Sequence, residues 1–143
     1  MSKLSSRGVD TERAARIDII NPYTGEPLLG AHAGAFVMVL SGDSRAAEKA
    51  RDASADKRIN RLARGQERMT QEQAREEDID MAVSLTVGPW CLIDPDTLDI
   101  IDEPFSESAA RELYSLPGWR WLRDQVLRGA GTRGNFRRMP PPS

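Results

Sequence analysis

Residues 45–87 contain no proline and a single glycine, Gly65, and this stretch constrains the fold more than any other. Alanine is common within it, so helix is favoured on both sides of Gly65. We predict a first helix from Arg45 to about Arg64 and a second that runs to about Val87. Gly65 marks the break between them.

Both predicted helices have recognisable ends. Asp43 or Ser44 can accept the free N–H groups at the start of the first helix. Thr70 and Gln73 have the spacing of a capping box at the start of the second, and Gly88-Pro89 follows its end. The second helix is more apolar in its C-terminal half, which we expect to be buried.

The apolar stripe of the first helix is thin. It consists of Ala46, Ala50, Ala53, Ile59, Leu62 and Ala63. Alanine buries little area, so this helix gains little from packing. We expect it to project from the domain or to lie against a partner, and its stripe permits self-association as a homo-oligomer.

Short runs rich in β-branched and aromatic residues flank the helical stretch and predict strands. Before it, residues 16–20 and 35–40 predict a small hairpin or meander around the turn at residues 21–25. After it, residues 90–93 and 98–101 flank Asp94-Pro95-Asp96-Thr97, which favours a tight turn within a β-hairpin.

Two further helices are predicted near the C-terminus. Ser106 can cap a third helix, and Pro117-Gly118 separates it from a fourth at about Trp119 to Arg128. The predicted class is therefore α+β, a small antiparallel sheet or hairpins with about four helices, one long and charged. We divide the chain into a flexible N-terminal arm (1–14), one domain (15–128) and a basic, proline-rich tail (129–143). Within the domain we expect N-terminal strands, a charged helical pair at 43–88, a hairpin at 90–101 and C-terminal helices at 106–128.

Charge is segregated along the helical stretch. Residues 45–68 carry eight Lys and Arg residues against fewer acids, whereas residues 72–80 are acidic except for Arg75. Antiparallel packing would pair these opposite charges. The pair is either simply solvated or a charged arm that meets a partner. The net charge of -2 lacks a basic surplus, so we favour protein over nucleic acid as that partner.

The residues that usually support catalysis or metal binding are scarce. His32 is the sole histidine and has no local acid or nucleophile, and Cys91 lies in an apolar run typical of a small buried side chain. Zinc needs more Cys and His ligands than these two, and the acidic cluster at 72–80 lacks the glycine-centred loop of a calcium site. We therefore expect no enzyme, cofactor or metal site.

The chain also lacks the features of exported or membrane proteins. No apolar stretch follows the positive charges of the N-terminus, and the longest apolar run, residues 35–40, is too short to span a bilayer. A single cysteine excludes an intramolecular disulfide and fits a reducing compartment such as the bacterial cytoplasm. We expect no membrane partner.

Several segments, in their order and spacing, resemble the tail assembly chaperone family of tailed bacteriophages. The N-terminal half has Asn21-Pro22-x-Thr24-Gly25-Glu26, an apolar strand and Gly42-Asp43-Ser44 before an arginine-rich helix. The second helix opens at Thr70 and closes on Gly88-x-Trp90. The strongest likeness is Pro104-Phe105-Ser106, Ala110-Arg111, Leu113-Tyr114, Pro117, Trp119, Leu122-Arg123 and Gln125-Val126, followed by Gly134-Asn135-Phe136.

This resemblance implies a function in phage assembly without covalent chemistry. Such chaperones coat the tape measure protein, keep its apolar helices soluble and help recruit tail tube subunits, so both proteins are expected partners, in the host cytoplasm. An amphipathic partner helix would be held by apolar anchors. We predict Trp119, Trp121, Leu122 and Val126 as anchors, supported by Phe105 and Tyr114, although the same residues could all be core.

Two other functions remain open at this stage. A structural virion component, such as a minor tail, decoration or head-tail joining protein, would use the arm and tail to lace into neighbours and would remain in the virion. A small DNA-binding regulator would use the helices at 45–64 and 71–87, against which the missing basic surplus counts.

Trp119 and Trp121 are two residues apart at the start of the predicted fourth helix. On one helix they would lie about 200° apart around the axis. They could not both face one core, so one should pack inward with Leu122 and the other should be partly exposed. An exposed tryptophan either contacts a partner protein or covers a neighbouring loop.

Overall fold

The computed structural model describes residues 8–30 and 34–138. Its elements, in chain order, are β1 (Ala15–Asp18), β2 (Phe36–Val39), α1 (Arg45–Ala63), α2 (Gln71–Leu85), β3 (Thr86–Ile93), β4 (Ile100–Ile101), α3 (Glu107–Ser115) and α4 (Arg120–Gly131). Short 3-10 turns precede and follow α4, at Pro117–Trp119 and Arg133–Phe136. The strands form one antiparallel sheet in the order β1-β2-β3-β4. The predicted α+β class is confirmed.

The sheet is amphipathic and buries one face. Ala15 and Ile17 of β1 are buried, whereas the residues that alternate with them are exposed. Val37 and Val39 of β2 are fully buried. This two-residue period is what a strand with one covered face requires.

Helix α4 approaches the sheet very closely. Gly129 lies against Ile17, and a Cβ built on Gly129 would stand 2.8 Å from Cδ1 and 3.0 Å from Cγ2 of that isoleucine. One turn earlier, the Gln125 side-chain amide donates to the Ile20 carbonyl and accepts from the Ile20 N–H, both at 2.8 Å. Gln125 thus supplies the backbone groups of Ile20 with the bonds that a neighbouring strand would give.

Helices α1 and α2 form an antiparallel hairpin linked by opposite charges. Arg58 Nη2 lies 2.9 Å from Glu77 Oε2, and Lys57 Nζ lies 3.2 Å from Asp80 Oδ2. Asp80 also accepts from Arg111 of α3 at 2.9 Å. The predicted pairing of the basic and acidic segments is therefore confirmed.

The predicted caps are also confirmed. The Ser44 hydroxyl accepts from Ala47 N at 3.2 Å, and Ser106 caps α3 in the same way. Thr70 and Gln73 form both bonds of the capping box. Local side-chain chemistry therefore determines where these three helices begin.

Two element boundaries differ from the prediction because tertiary pairing overrides local sequence. Helix α2 ends at Leu85 rather than near Val87, since Thr86 is already extended and pairs with Val39 of β2. Strand β4 is limited to Ile100–Ile101, since Leu98 has a φ of 62° and leaves the extended conformation. The tight turn at residues 94–97 is present, with Asp94 N donating to Asp99 O at 2.9 Å.

The described parts of the predicted arm and tail pack against each other. Val9 and Arg137 form an antiparallel bridge, and Asp10 N donates to Phe136 O at 2.7 Å. Phe136 is fully buried, and α4 continues to Gly131 rather than ending near Arg128. The described parts of both segments therefore join the core, in which Phe136 is buried and against which Val9 packs. Residues 1–7 and 139–143 lie outside the described residues.

The contact between Gly129 and Ile17 leads to a stability prediction. Gly129→Ala forces the Ile17 side chain to move, and this overpacking destabilises the fold. Alanine also favours helix more than glycine does, but this gain is smaller, so we expect the free energy of unfolding to fall by about 1–2 kcal/mol. Urea unfolding followed by circular dichroism measures it. Gly131→Ala is the matched control, since it lies on the same helix and has no atom within 4 Å of its added Cβ. Equal stability of the two variants would contradict the close packing.

Candidate protein-binding groove

The six residues predicted as anchors or supports fall into two groups. Tyr114, Leu122 and Val126 are at most 1% exposed and belong to the core, so they are inaccessible to a partner in this conformation. The other three residues, Phe105, Trp119 and Trp121, are half-buried at the core's edge. The face of α4 that suggested an anchor row is used for folding.

Tyr114 joins three elements through its hydroxyl. Thr86 Oγ1 lies 2.8 Å from Tyr114 OH and 2.8 Å from the Ala82 carbonyl oxygen. Because the single Thr86 proton is donated to that carbonyl, the Tyr114 hydroxyl donates to Thr86. Burial raises the pKa of Tyr114 to about 12.

Trp119 and Trp121 contact each other, which corrects the prediction that they lie on different sides. Their ring centroids are 5.3 Å apart with an interplanar angle of 30°. Trp121 Nε1 donates to the Gly118 carbonyl at 3.0 Å. The prediction was wrong because Trp119 belongs to the 3-10 turn Pro117–Trp119, so the angular spacing of an α-helix does not apply to this pair.

An apolar groove lies beside Trp119, between the β3–β4 hairpin and α3. Its volume is about 250 Å³. Apolar side chains line most of it, and Glu103 and Glu112 also contribute. We define the apolar groove by its lining residues, which are Trp90, Leu92, Ile101, Glu103, Ala109, Glu112, Leu113, Leu116 and Trp119. Leu116, which lines the groove, is 46% exposed.

Phe105 supports the groove rather than opening into it. Its ring meets that of Trp90 edge to face, with centroids 5.3 Å apart and an interplanar angle of 87°. The Trp90 indole N–H donates to the Glu103 carbonyl at 2.7 Å. These two contacts fix the orientation of Trp90, so this wall of the groove is preformed.

Most of the groove was missed by sequence reasoning. Of the predicted anchors only Trp119 lines it. Leu92 and Ile101 come from the hairpin, whereas Leu113 and Leu116 come from α3 and its end, and no local pattern links these segments. The one available signal was Leu116, an apolar residue placed immediately before the helix-breaking Pro117.

Helix α1 also carries two exposed apolar side chains, which lie outside the apolar groove. Ile59 and Leu62 are 63% and 59% exposed and lie among the arginines of its distal half. Among the described residues of α1, Ala47 is the one that is buried. This agrees with the prediction that the helix has a thin apolar stripe and gains little from packing.

The residues considered for catalysis and metal binding have no assembled site in the described chain. Cys91 is half-buried in β3, and His32 lies outside the described residues. Residues 8–30 and 34–138 contain no group of three or more His, Cys, Asp and Glu side chains arranged to hold a metal ion. Across the same residues, none of the helices has the length and apolar character that a bilayer crossing requires.

The Tyr114 hydroxyl leads to a pH prediction. The unfolded chain ionises this tyrosine near pH 10 and the folded chain near pH 12, so its contribution to stability is complete below pH 10 and is lost between pH 10 and 12. The loss should be about 2–3 kcal/mol.

Urea unfolding of the native chain and of Tyr114→Phe across this range provides the measurement. Near pH 8 the variant should be about 1 kcal/mol less stable, since it lacks the bond to Thr86. Near pH 12 the order should reverse. Parallel pH profiles for the two proteins would contradict a buried, neutral Tyr114.

No protein-family model matches the chain, and searches of curated proteins and of solved structures gave no significant match.

Proposed function

We propose that this protein is a phage tail assembly chaperone that binds the tape measure protein, keeps its apolar helices soluble and helps recruit tail tube subunits. The apolar groove is the observation that carries the proposal, because it gives a partner helix a place to bind. The resemblance along residues 104–136 supplies the identity of the expected partner.

The dimensions and walls of the groove suit side chains of an amphipathic helix. About 250 Å³ accommodates one or two large aliphatic or aromatic side chains rather than a whole folded surface. Each such side chain gains about 1.5–3 kcal/mol when it is fully buried. Helix-in-groove recognition uses anchors of this kind at intervals of three or four residues.

The remainder of the molecule suits a protein that keeps another chain in solution. The α1–α2 hairpin presents charged side chains along its length, including Arg58 and Lys57, which remain more than half exposed although they form ion pairs. Such a surface opposes association between complexes. Glu103 and Glu112 border the groove itself and would keep it hydrated until a partner binds.

Co-expression with the tape measure protein of the same phage tests the proposal. We expect a soluble complex on affinity pull-down and an insoluble tape measure protein without the chaperone. Trp119→Ala and Leu116→Ala should each weaken binding by about tenfold or more, since groove anchors dominate such interfaces.

Leu62→Ala is the matched control, because Leu62 is an exposed leucine outside the groove. Its binding should equal that of the native chain. Failure to capture or solubilise the tape measure protein would contradict the proposal. Retention of the protein in purified virions, detected by mass spectrometry, would favour the structural virion component instead.

A further inference from the structure

A second concave surface lies on the other side of Leu116 from the apolar groove. It is a cleft of about 620 Å³ between the first half of α2 and the junction of α3 with α4. We define the arginine cleft by Glu72, Arg75, Asp78, Leu116, Arg120 and Arg123, which line it. Nothing in the proposed chaperone function requires a charged site here.

Arg123 is the unusual member of this cleft. It is 4% exposed, and within the described residues it takes part in no ion pair. Its Nη1 donates to the Tyr114 carbonyl at 3.1 Å, whereas its Nε is buried without a partner. A guanidinium is a permanent cation with five donors, so a buried one without a carboxylate costs free energy unless an anion approaches it.

Two more arginines are held at the same cleft. Arg75 Nη2 donates to the Ser115 carbonyl at 3.1 Å, which anchors its side chain across from α2 to the end of α3. Arg120 stands at the first residue of α4, and its side chain is 73% exposed. Its Nε lies 3.9 Å from Asp124 Oδ2, an exposed pair weak enough for a ligand carboxylate to replace. Guanidinium groups bind planar oxyanions such as carboxylates, and three of them line this cleft.

The charge balance favours a single carboxylate. Among the lining residues, three arginines give three positive charges and Glu72 and Asp78 give two negative charges, which leaves one net positive charge. Asp124, the exposed partner of Arg120, lies outside the lining. A phosphate dianion would meet both acids, whereas a monoanion matches the balance. Leu116 and Pro117 provide an apolar wall beside the charges, as a peptide side chain next to the acid would require.

We propose that the arginine cleft binds an acidic residue of a partner polypeptide, an Asp or Glu flanked by apolar side chains, with Arg75, Arg120 and Arg123 facing the carboxylate. Leu116 lines both this cleft and the apolar groove, so one partner segment can engage the two surfaces together. The inference does not depend on the partner being a tape measure protein.

The first test uses the full-length protein labelled with 15N and the blocked peptide acetyl-Ala-Leu-Glu-Leu-Ala-amide. Addition of the peptide should shift the amide signals of residues 71–78 and 115–123 in proton–nitrogen correlation spectra. The glutamine version of the peptide should bind about tenfold more weakly, since it loses the charge-assisted bonds. Higher salt should weaken the glutamate peptide selectively.

Variants of the cleft provide the second test. Arg120→Gln and Arg75→Gln should each weaken binding of the glutamate peptide several-fold, and Arg123→Met should abolish it. Arg128→Gln is the matched control, because Arg128 is an exposed arginine of α4 outside the cleft. Circular dichroism checks the fold, and if Arg123→Met does not fold, the other two variants decide.

Three results would overturn the inference. They are equal binding of the glutamate and glutamine peptides, absence of shifts around the cleft, and tighter binding of inorganic phosphate than of the glutamate peptide at the same amides. None of these results depends on the tape measure protein. Loss of tape measure binding, in turn, leaves the peptide measurement unaffected, so failures of the two proposals are distinguishable.

Discussion

The hydrogen-bond chain at Thr86 is the interaction on which the rest of the fold depends. Thr86 is the first residue of β3, accepts from Tyr114 of α3 and donates to Ala82 of α2, so it joins a strand and two helices at one buried point. Because the helix ends here, β3 can pair with β2 and carry Trp90 into one wall of the apolar groove. The position of Tyr114 fixes α3, whose exposed side is the opposite wall. The groove therefore depends on the two buried hydrogen bonds of the Thr86 hydroxyl.

Local features of the chain could be predicted from sequence, and features made by distant segments could not. The caps at Ser44, Thr70 and Ser106 depend on side chains three residues from their partners, so their pattern is visible in the sequence. Trp119 was placed on the wrong kind of helix, because a 3-10 turn and the first turn of an α-helix share sequence preferences. Leu116 was not among the predicted anchors, since the groove and the cleft beside it form from segments that meet only in three dimensions.

The apolar groove and the arginine cleft lie next to each other and would attract a partner in different ways, one by hydrophobic contact and the other by charge. The apolar groove would bind a side chain through shape complementarity and the removal of apolar surface from water. These effects act over short distances and have little directional preference. The arginine cleft acts through charge, which orients an approaching segment before close contact. Leu116 lies between them and contributes to both. A partner that binds both surfaces must carry an acidic side chain at a fixed distance from an apolar anchor. The two surfaces together therefore require a spacing that neither requires alone.

The packing of the two end segments has a consequence for synthesis of the protein. Arg13 donates to the Arg137 carbonyl across 124 residues of sequence, and Asp10 donates to Phe136. Contacts so distant in the chain close last during folding, since the entropy of the intervening loop opposes them. On the ribosome, residues 9–13 emerge long before Phe136, and Asp10 N–H lacks its Phe136 partner until that residue has left the exit tunnel. The nascent chain can assemble its helical hairpin while translation continues, but the contacts of residues 9–13 must wait until Phe136 and Arg137 have emerged.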